Sequence, residues 1–176
     1  MRGLAACRVL ASRSLKAREG DFVSALAGWT RYAVLRESEF EPASHYPGLR
    51  SPVDMLSSLG MTSLTAWVGM AKIAAPKPGE LVVVSGAAGA TGSVAGQIAK
   101  INGARVVGIC GEESKCRWLE EELGFDVALN YKAADFEKRF REETKSYIDV
   151  YFDNGEPALV YTPLYLPRAV AWRIDH

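Results

Sequence analysis

The chain has 176 residues, enough for one large domain or one and a half small ones. Its 21 basic and 21 acidic side chains cancel, so no excess charge draws it to nucleic acid or to an anionic membrane. Hydrophobic residues make up 48% and charged residues 24%, and no apolar run approaches the roughly 18–20 residues of a membrane-spanning helix. The three cysteines, Cys7, Cys110 and Cys116, are too few and too odd in number for a disulfide framework, which points to a reducing, cytoplasmic compartment. His45 and His176 lie far apart and no Cys-x-x-Cys spacing occurs, so no metal site is expected.

Taken in order, Met1–Arg18 is basic, and its first acid follows at Glu19. It reads either as a mitochondrial presequence or as a basic strand and turn. Asp21–Val23 follows a Glu-Gly turn, and Trp29–Leu35 alternates as an antiparallel strand does. Phe40–Arg50, with Pro42, Pro47 and Gly48, reads as loop. Pro52–Leu59 and Leu64–Ile73 read as short helices, stopped by Pro76-Lys-Pro-Gly79. From there the rhythm is strand and helix in turn. Strands fall at Leu81–Ser85, Arg105–Cys110, Val127–Leu129 and Tyr147–Phe152. Helices fall at Ser93–Ile101, at Ser114–Leu123 and around Phe136 and Phe140. That alternation predicts a parallel sheet with helices on both faces. Gly155–His176, interrupted by Pro157, Pro163 and Pro167, loses the pattern.

The informative segment is Leu81-Val-Val-Val-Ser-Gly-Ala-Ala-Gly-Ala-Thr-Gly-Ser93, a strand, a small-residue loop and a helix. At the dinucleotide fingerprint positions it reads Ala87-x-Gly89-x-x-Gly92, with Ala87 standing where the first glycine is usual. Gly89 lets backbone approach a pyrophosphate, Gly92 lets the helix start close to the strand, and the helix N-terminus faces the phosphates. A plain βα turn selected for packing is the alternative reading, and Gly96 reads as a packing glycine. A nucleoside-triphosphate loop is excluded because Gly92 is followed by Ser93 rather than lysine. The short-chain dehydrogenases are excluded because no tyrosine has a lysine four residues on.

About 20 residues past Gly89 the chain reaches Ile109, with no acid at the strand tip to bond a ribose 2′-hydroxyl. Lys115 follows on the opening turn of the next helix. A cation there favours a 2′-phosphate, hence NADP (NADPH), unless Lys115 is simply a solvated helix residue.

From about residue 7 to 154 the chain resembles the zinc-independent medium-chain dehydrogenase/reductases. Within them it is most similar to the group of prostaglandin reductase, leukotriene B4 12-hydroxydehydrogenase and the curcumin-reductase-like enzymes. The words that carry this are Arg18-Glu-Gly-Asp-Phe-Val23, Gly28-Trp29, Leu59-Gly-Met-Thr-Ser-Leu-Thr-Ala66, Pro76-Lys-Pro-Gly-Glu80, Ala87-Ala-Gly-Ala-Thr-Gly-Ser93, Gly96-Gln-Ile-Ala-Lys100, Leu123-Gly-Phe-Asp126, Asn130-Tyr-Lys132 and Asp149-Val-Tyr-Phe-Asp-Asn154. Because Val9–Val23 matches the family's catalytic domain, the resemblance favours strand over presequence.

The resemblance implies an α/β fold, an incomplete Rossmann-type parallel sheet preceded by the remnant of a GroES-like β-barrel. Residues 1–50 are the barrel remnant, 51–154 the first half of the NADP-binding domain and 155–176 a divergent tail. It implies NADPH-dependent reduction of the activated C=C bond of small enones and enals, by hydride transfer without metal. Carried over by motif, the cofactor-binding residues are Gly89, Ala90, Thr91, Gly92, Lys115, Tyr131 and Asn154, while the catalytic residue stays unassigned. Family members run to about twice this length, and they dimerise through a part largely lacking here. Only four strands are expected, in order 3-2-1-4, with the fourth an open edge unless Leu159–Trp172 covers it. The competing reading is a truncated, catalytically inactive NADP-binding remnant.

Overall fold

The computed structural model describes residues 3–145 and 147–154, together with the backbone of 170–172. The chain divides into two compact units, Met1–Leu64 and Thr65–His176.

The first unit is built on a three-stranded antiparallel sheet of β1 (Ala5–Arg8), β2 (Phe22–Ala25) and β3 (Phe40–Pro42), in that order. The central strand buries Val23 and Ala25, with Ala17 and Met55 buried in the same unit. Ser24, also buried, shares a 2.8 Å hydrogen bond with the Tyr46 hydroxyl. A 3-10 turn at Pro52–Met55 opens on a capping pair, in which Ser51 Oγ accepts from the Val53 amide and Asp54 accepts from the Ser51 amide.

Two sequence expectations fail here. Trp29–Leu35 forms no strand. Its alternation has no covered face, since Trp29, Tyr32 and Val34 are all exposed. The strand lies instead in the segment read as loop, at Phe40–Pro42. Proline is tolerated there because β3 is an edge strand, whose outward amide needs no partner.

The second unit carries the parallel sheet. Its strands are β4 (Leu81–Val84), β5 (Arg105–Cys110), β6 (Val127–Asn130), β7 (Val150–Phe152) and β8 (Val170–Trp172), ordered β6-β5-β4-β7-β8. The first four stand in the expected 3-2-1-4 order, all parallel. The fifth corrects the expectation of four strands, since β8 pairs in parallel with β7 and occupies the edge. Segment 153–169 exceeds the roughly dozen residues that a parallel crossover needs, so the chain can return to the same edge.

Pleat alternation sorts the core. Val82, Val84, Val106, Cys110, Ala128, Val150 and Phe152 face α1 (Met61–Trp67), α2 (Ala90–Ile101) and α3 (Glu113–Glu121) through Ala66, Ala95, Ala99, Cys116 and Leu119. Val83, Val107, Ile109, Leu129 and Tyr151 face the other way, onto Phe140 of α4 (Phe136–Glu143). Continuous apolar strands thus have both faces covered. The helix expected over Leu64–Ile73 is present in two parts: α1 is followed by a π-helical stretch, Val68–Ala74, which ends on Ala75 in a left-handed conformation. Among the described residues no helix is long and apolar enough to cross a membrane.

Asp126 ties α2 to the sheet. Its carboxylate accepts from Lys100 Nζ at 2.8 Å and from the Val106 amide at 2.6 Å. Burial by itself would raise this carboxyl. The Lys100 bond, the Val106 amide and the charges of Lys100 and Arg105 outweigh it and hold the group below its usual 3.8. A carboxyl depressed on folding stabilises above its unfolded pKa and loses that contribution as pH falls through the folded value. Asp126→Asn is therefore expected to melt below the parent from pH 7 down to about 5, with the gap closing below about 4. A thermal-melt series against pH checks this; a gap that persists in acid refutes it.

The cysteines are free thiols. Cys110 and Cys116 lie with their sulfurs 3.2 Å apart, and both are buried. Burial, helped by the neighbouring Cys110, pushes the Cys116 thiol up to about 12, which makes it a packing group rather than a nucleophile.

Candidate functional site

In an open α/β sheet the ligand crevice lies at the carboxyl ends of the strands, where the strand order reverses. Here that point falls between β4 and β7. β4 is followed by Ser85, and the chain turns at Gly86, whose φ of 55° is left-handed. The turn role of the fingerprint's first glycine thus falls on Gly86, one residue before the expected position. Ala87 is fully buried, and its Cβ packs against Gly108.

The chain then closes tightly. Gly89 donates its amide to the Gly86 carbonyl at 2.9 Å and is the N-cap of α2, without a side chain to cap it. Helix geometry leaves the amides of Ala90, Thr91 and Gly92 without intrahelical acceptors, pointing out of the positive end of the helix. A Cβ on Gly92 would overlap the Gly86 carbonyl oxygen and stand 2.9 Å from Ala87 Cα. The helix can start this close to the strand only with glycine there.

The remaining predicted residues line the same edge. Asn154 follows β7, and its side-chain Nδ2 lies 3.8 Å from where a Cβ on Gly89 would sit. Fourth strand and glycine loop are thus brought together. Tyr131 follows β6; its amide donates to the Cys110 carbonyl, and its ring covers Gly111 at the end of β5. Lys115 stands on the first turn of α3, half exposed, with Nζ 3.3 Å from Glu112. It is carried by the helix that follows β5, whereas Gly89 and Asn154 follow β4 and β7. A surface groove of about 730 Å³ runs from Tyr131 past Phe136, Arg141 and Lys145, and touches none of Gly89–Gly92, Lys115 or Asn154.

A family model described as zinc-binding dehydrogenase matches residues 90–163. The NADPH-dependent curcumin reductase of Escherichia coli is 37% identical over 147 residues, covering 84% of this chain and 42% of that protein. Prostaglandin reductase 1 of Bos taurus is 40% identical over 156 residues, covering 88% of this chain and 47% of that protein. The crystal structure of CurA in complex with NADPH, from Vibrio vulnificus, superposes with a TM-score of 0.82 at 38% identity, over 91% of this chain and 47% of CurA.

Over most of its length the chain is similar to reductases of the medium-chain dehydrogenase/reductase group. It spans less than half the length of these relatives. The family-model match runs to residue 163, past Asn154, where resemblance by motif ends. Among the described residues no group of three or more His, Cys, Asp or Glu side chains is placed to hold a zinc ion. The edge fits a dinucleotide: it offers helix-end amides without intrahelical acceptors, a positive helix end and a Gly89 that carries no Cβ.

Two residues of this edge escape the motif. Ser85, fully buried, donates to Asp153 Oδ1 at 2.6 Å, and its oxygen accepts the Asn154 amide at 2.8 Å. Below them Tyr151 stays a neutral phenol. Burial pushes it up to about 12, and the Asp153 charge adds to the rise against a hydrogen bond shared with Ser85. The serine ending the apolar run is the signal of this cluster in the sequence, and a strand reading absorbs it.

Proposed function

We propose that this chain binds NADPH along the carboxyl edge of its parallel sheet, as part of an oxidoreductase that reduces the activated C=C bond of small enones and enals. The observation that carries the reading is the uncapped α2 N-terminus held against the Gly86 turn, in a fold that CurA shares in its NADPH complex. The amides of Ala90, Thr91 and Gly92 would hold the pyrophosphate, with Gly89 leaving room for it. Lys115 would hold the 2′-phosphate, Tyr131 would flank the adenosine side and Asn154 the opposite half. Bound NADPH supplies a hydride for the β-carbon of the enone. The curcumin and prostaglandin reductases support the substrate class, and the free thiols support a reducing, cytoplasmic setting.

Fluorescence titration tests this with NADPH and with NADH. Saturable binding that prefers NADPH is expected. Lys115→Ala is expected to weaken NADPH about tenfold, ~1.4 kcal/mol, the low end for a charge-assisted contact at a half-exposed site, and to leave NADH unchanged. Equal affinity for the two nucleotides, or no saturation, overturns the assignment. NADPH binding without turnover of an enone supports the second reading, a catalytically inactive cofactor-binding chain.

A further inference from the structure

Where β4 meets β7, the strand ends are polar although their surroundings are not. Ser85 is 0% exposed and Asp153 9%, directly above the apolar run of β4. A buried hydroxyl and carboxylate cost desolvation, and apolar residues of similar size pack such a position at no loss of stability. Ser85, Asp153 and Asn154 are nevertheless linked by hydrogen bonds. The Ser85 amide donates to the Phe152 carbonyl, the Ser85 hydroxyl donates to Asp153, and the Asn154 amide donates to the Ser85 oxygen. The Ser85 hydroxyl gives its one proton to Asp153, which leaves its oxygen to accept the Asn154 amide.

This geometry determines where Asn154 sits. One residue beyond Asp153, its side chain reaches over Gly89. We propose that Ser85 and Asp153 are positioning residues: together they hold Asn154 over the glycine loop and so set how tightly the nicotinamide-bearing half of the cofactor is gripped. The inference rests on the NADPH reading above and adds to it a division of labour. In a doubly wound sheet the adenosine half lies towards the second strand, here β5 with Lys115. The other half crosses the β4–β7 switch point, where Ser85, Asp153 and Asn154 lie. Loosening these hydrogen bonds should therefore cost only ligands that reach past the pyrophosphate.

Two ligands separate the outcomes: NADPH, and 2′,5′-ADP, which lacks the nicotinamide half. Ser85→Ala is expected to weaken NADPH about fivefold to tenfold and to leave 2′,5′-ADP within about twofold. The double variant Ser85→Ala/Asn154→Ala should bind NADPH no worse than Asn154→Ala, because residues acting through one another are not additive. Asp153→Asn, which keeps an acceptor for the Ser85 hydroxyl, should restore near-parent NADPH affinity. Asp153→Ala replaces Ser85→Ala in the comparison if the latter melts without a cooperative transition. Equal losses for both ligands, or multiplicative losses in the double variant, mean that the pair merely supports the fold, and the proposal fails. A parent chain that binds neither ligand removes the cofactor reading itself. One that binds both, with Ser85→Ala indistinguishable from it, removes only the positioning role.

Discussion

Gly96→Ala is expected to destabilise the second unit by about 3 kcal/mol, the upper end for overpacking a well-filled core. For a chain of this length that is a fall of about 10 °C in melting temperature. Gly96 lies in α2 where the helix crosses Phe125, and a Cβ there would fall on the ring, with Cε2 and Cε1 at 2.6 and 2.7 Å. The ring has nowhere to withdraw. The same ring also lies against Gly108 of β5, where a Cβ would meet Phe125 Cδ2 at 2.8 Å. Phe125 is 4% exposed, so it is wedged between a helix glycine and a strand glycine. In an open helix, alanine stabilises relative to glycine by about 1 kcal/mol, so the sign of the effect decides between local propensity and packing. Phe125→Leu in the Gly96→Ala background should recover part of the loss, since a smaller side chain vacates the volume. A melt of Gly96→Ala at or above the parent would show that the ring is not wedged.

Much of this architecture is legible in the sequence because its signals are local. Leu81–Val84 and residues 106–110 run without a polar side chain, as suits a strand covered on both faces, and both strands stand where expected. Gly103 and Gly124, both left-handed, follow α2 and α3 as stops. Failures occur where the outcome depends on partners far along the chain. Trp29–Leu35 alternates well but has no covered face, whereas Phe40–Pro42 carries a proline and pairs because β2 is beside it. The fifth strand, Val170–Trp172, was hidden for the same reason, since its partner β7 lies about twenty residues back. At the candidate site, the glycine spacing places the loop by itself, but it misassigns the turn. Gly86 rather than position 87 takes the positive φ, because Ala87 is needed in the core against Gly108. Ser85 and Asp153 were out of reach because their relation is a 2.6 Å contact across 68 residues of sequence.

Gly92→Ala and Gly89→Ala, three residues apart, should behave differently, and the contrast tests what each glycine is for. At Gly92 the obstructing atoms are all backbone: the Gly86 carbonyl, which an added Cβ would overlap, and Ala87 Cα at 2.9 Å. Backbone cannot rotate aside, so the first turn of α2 must move off the end of β4. The amides of Ala90, Thr91 and Gly92 then lose their common aim. Gly92→Ala is expected to cost about 2–3 kcal/mol of stability and to weaken NADPH and 2′,5′-ADP alike by about 100-fold. At Gly89 the φ of −80° and ψ of 169° suit any residue, and the nearest atoms to a Cβ are Gly86 O at 3.1 Å and Asn154 Nδ2 at 3.8 Å. Gly89→Ala should therefore fold with a melting temperature within a few degrees of the parent. Its methyl group occupies the space by which a phosphate reaches the amides, so binding of both ligands should still fall by at least tenfold. Melting curves and titrations of the two variants side by side resolve the matter. If Gly92→Ala keeps the parent's affinity, the helix start is not what holds the phosphates, and the cofactor reading loses its main support. If Gly89→Ala keeps it instead, the approach to the loop is wider than the structure shows, and the phosphates are held from the Lys115 side of the sheet.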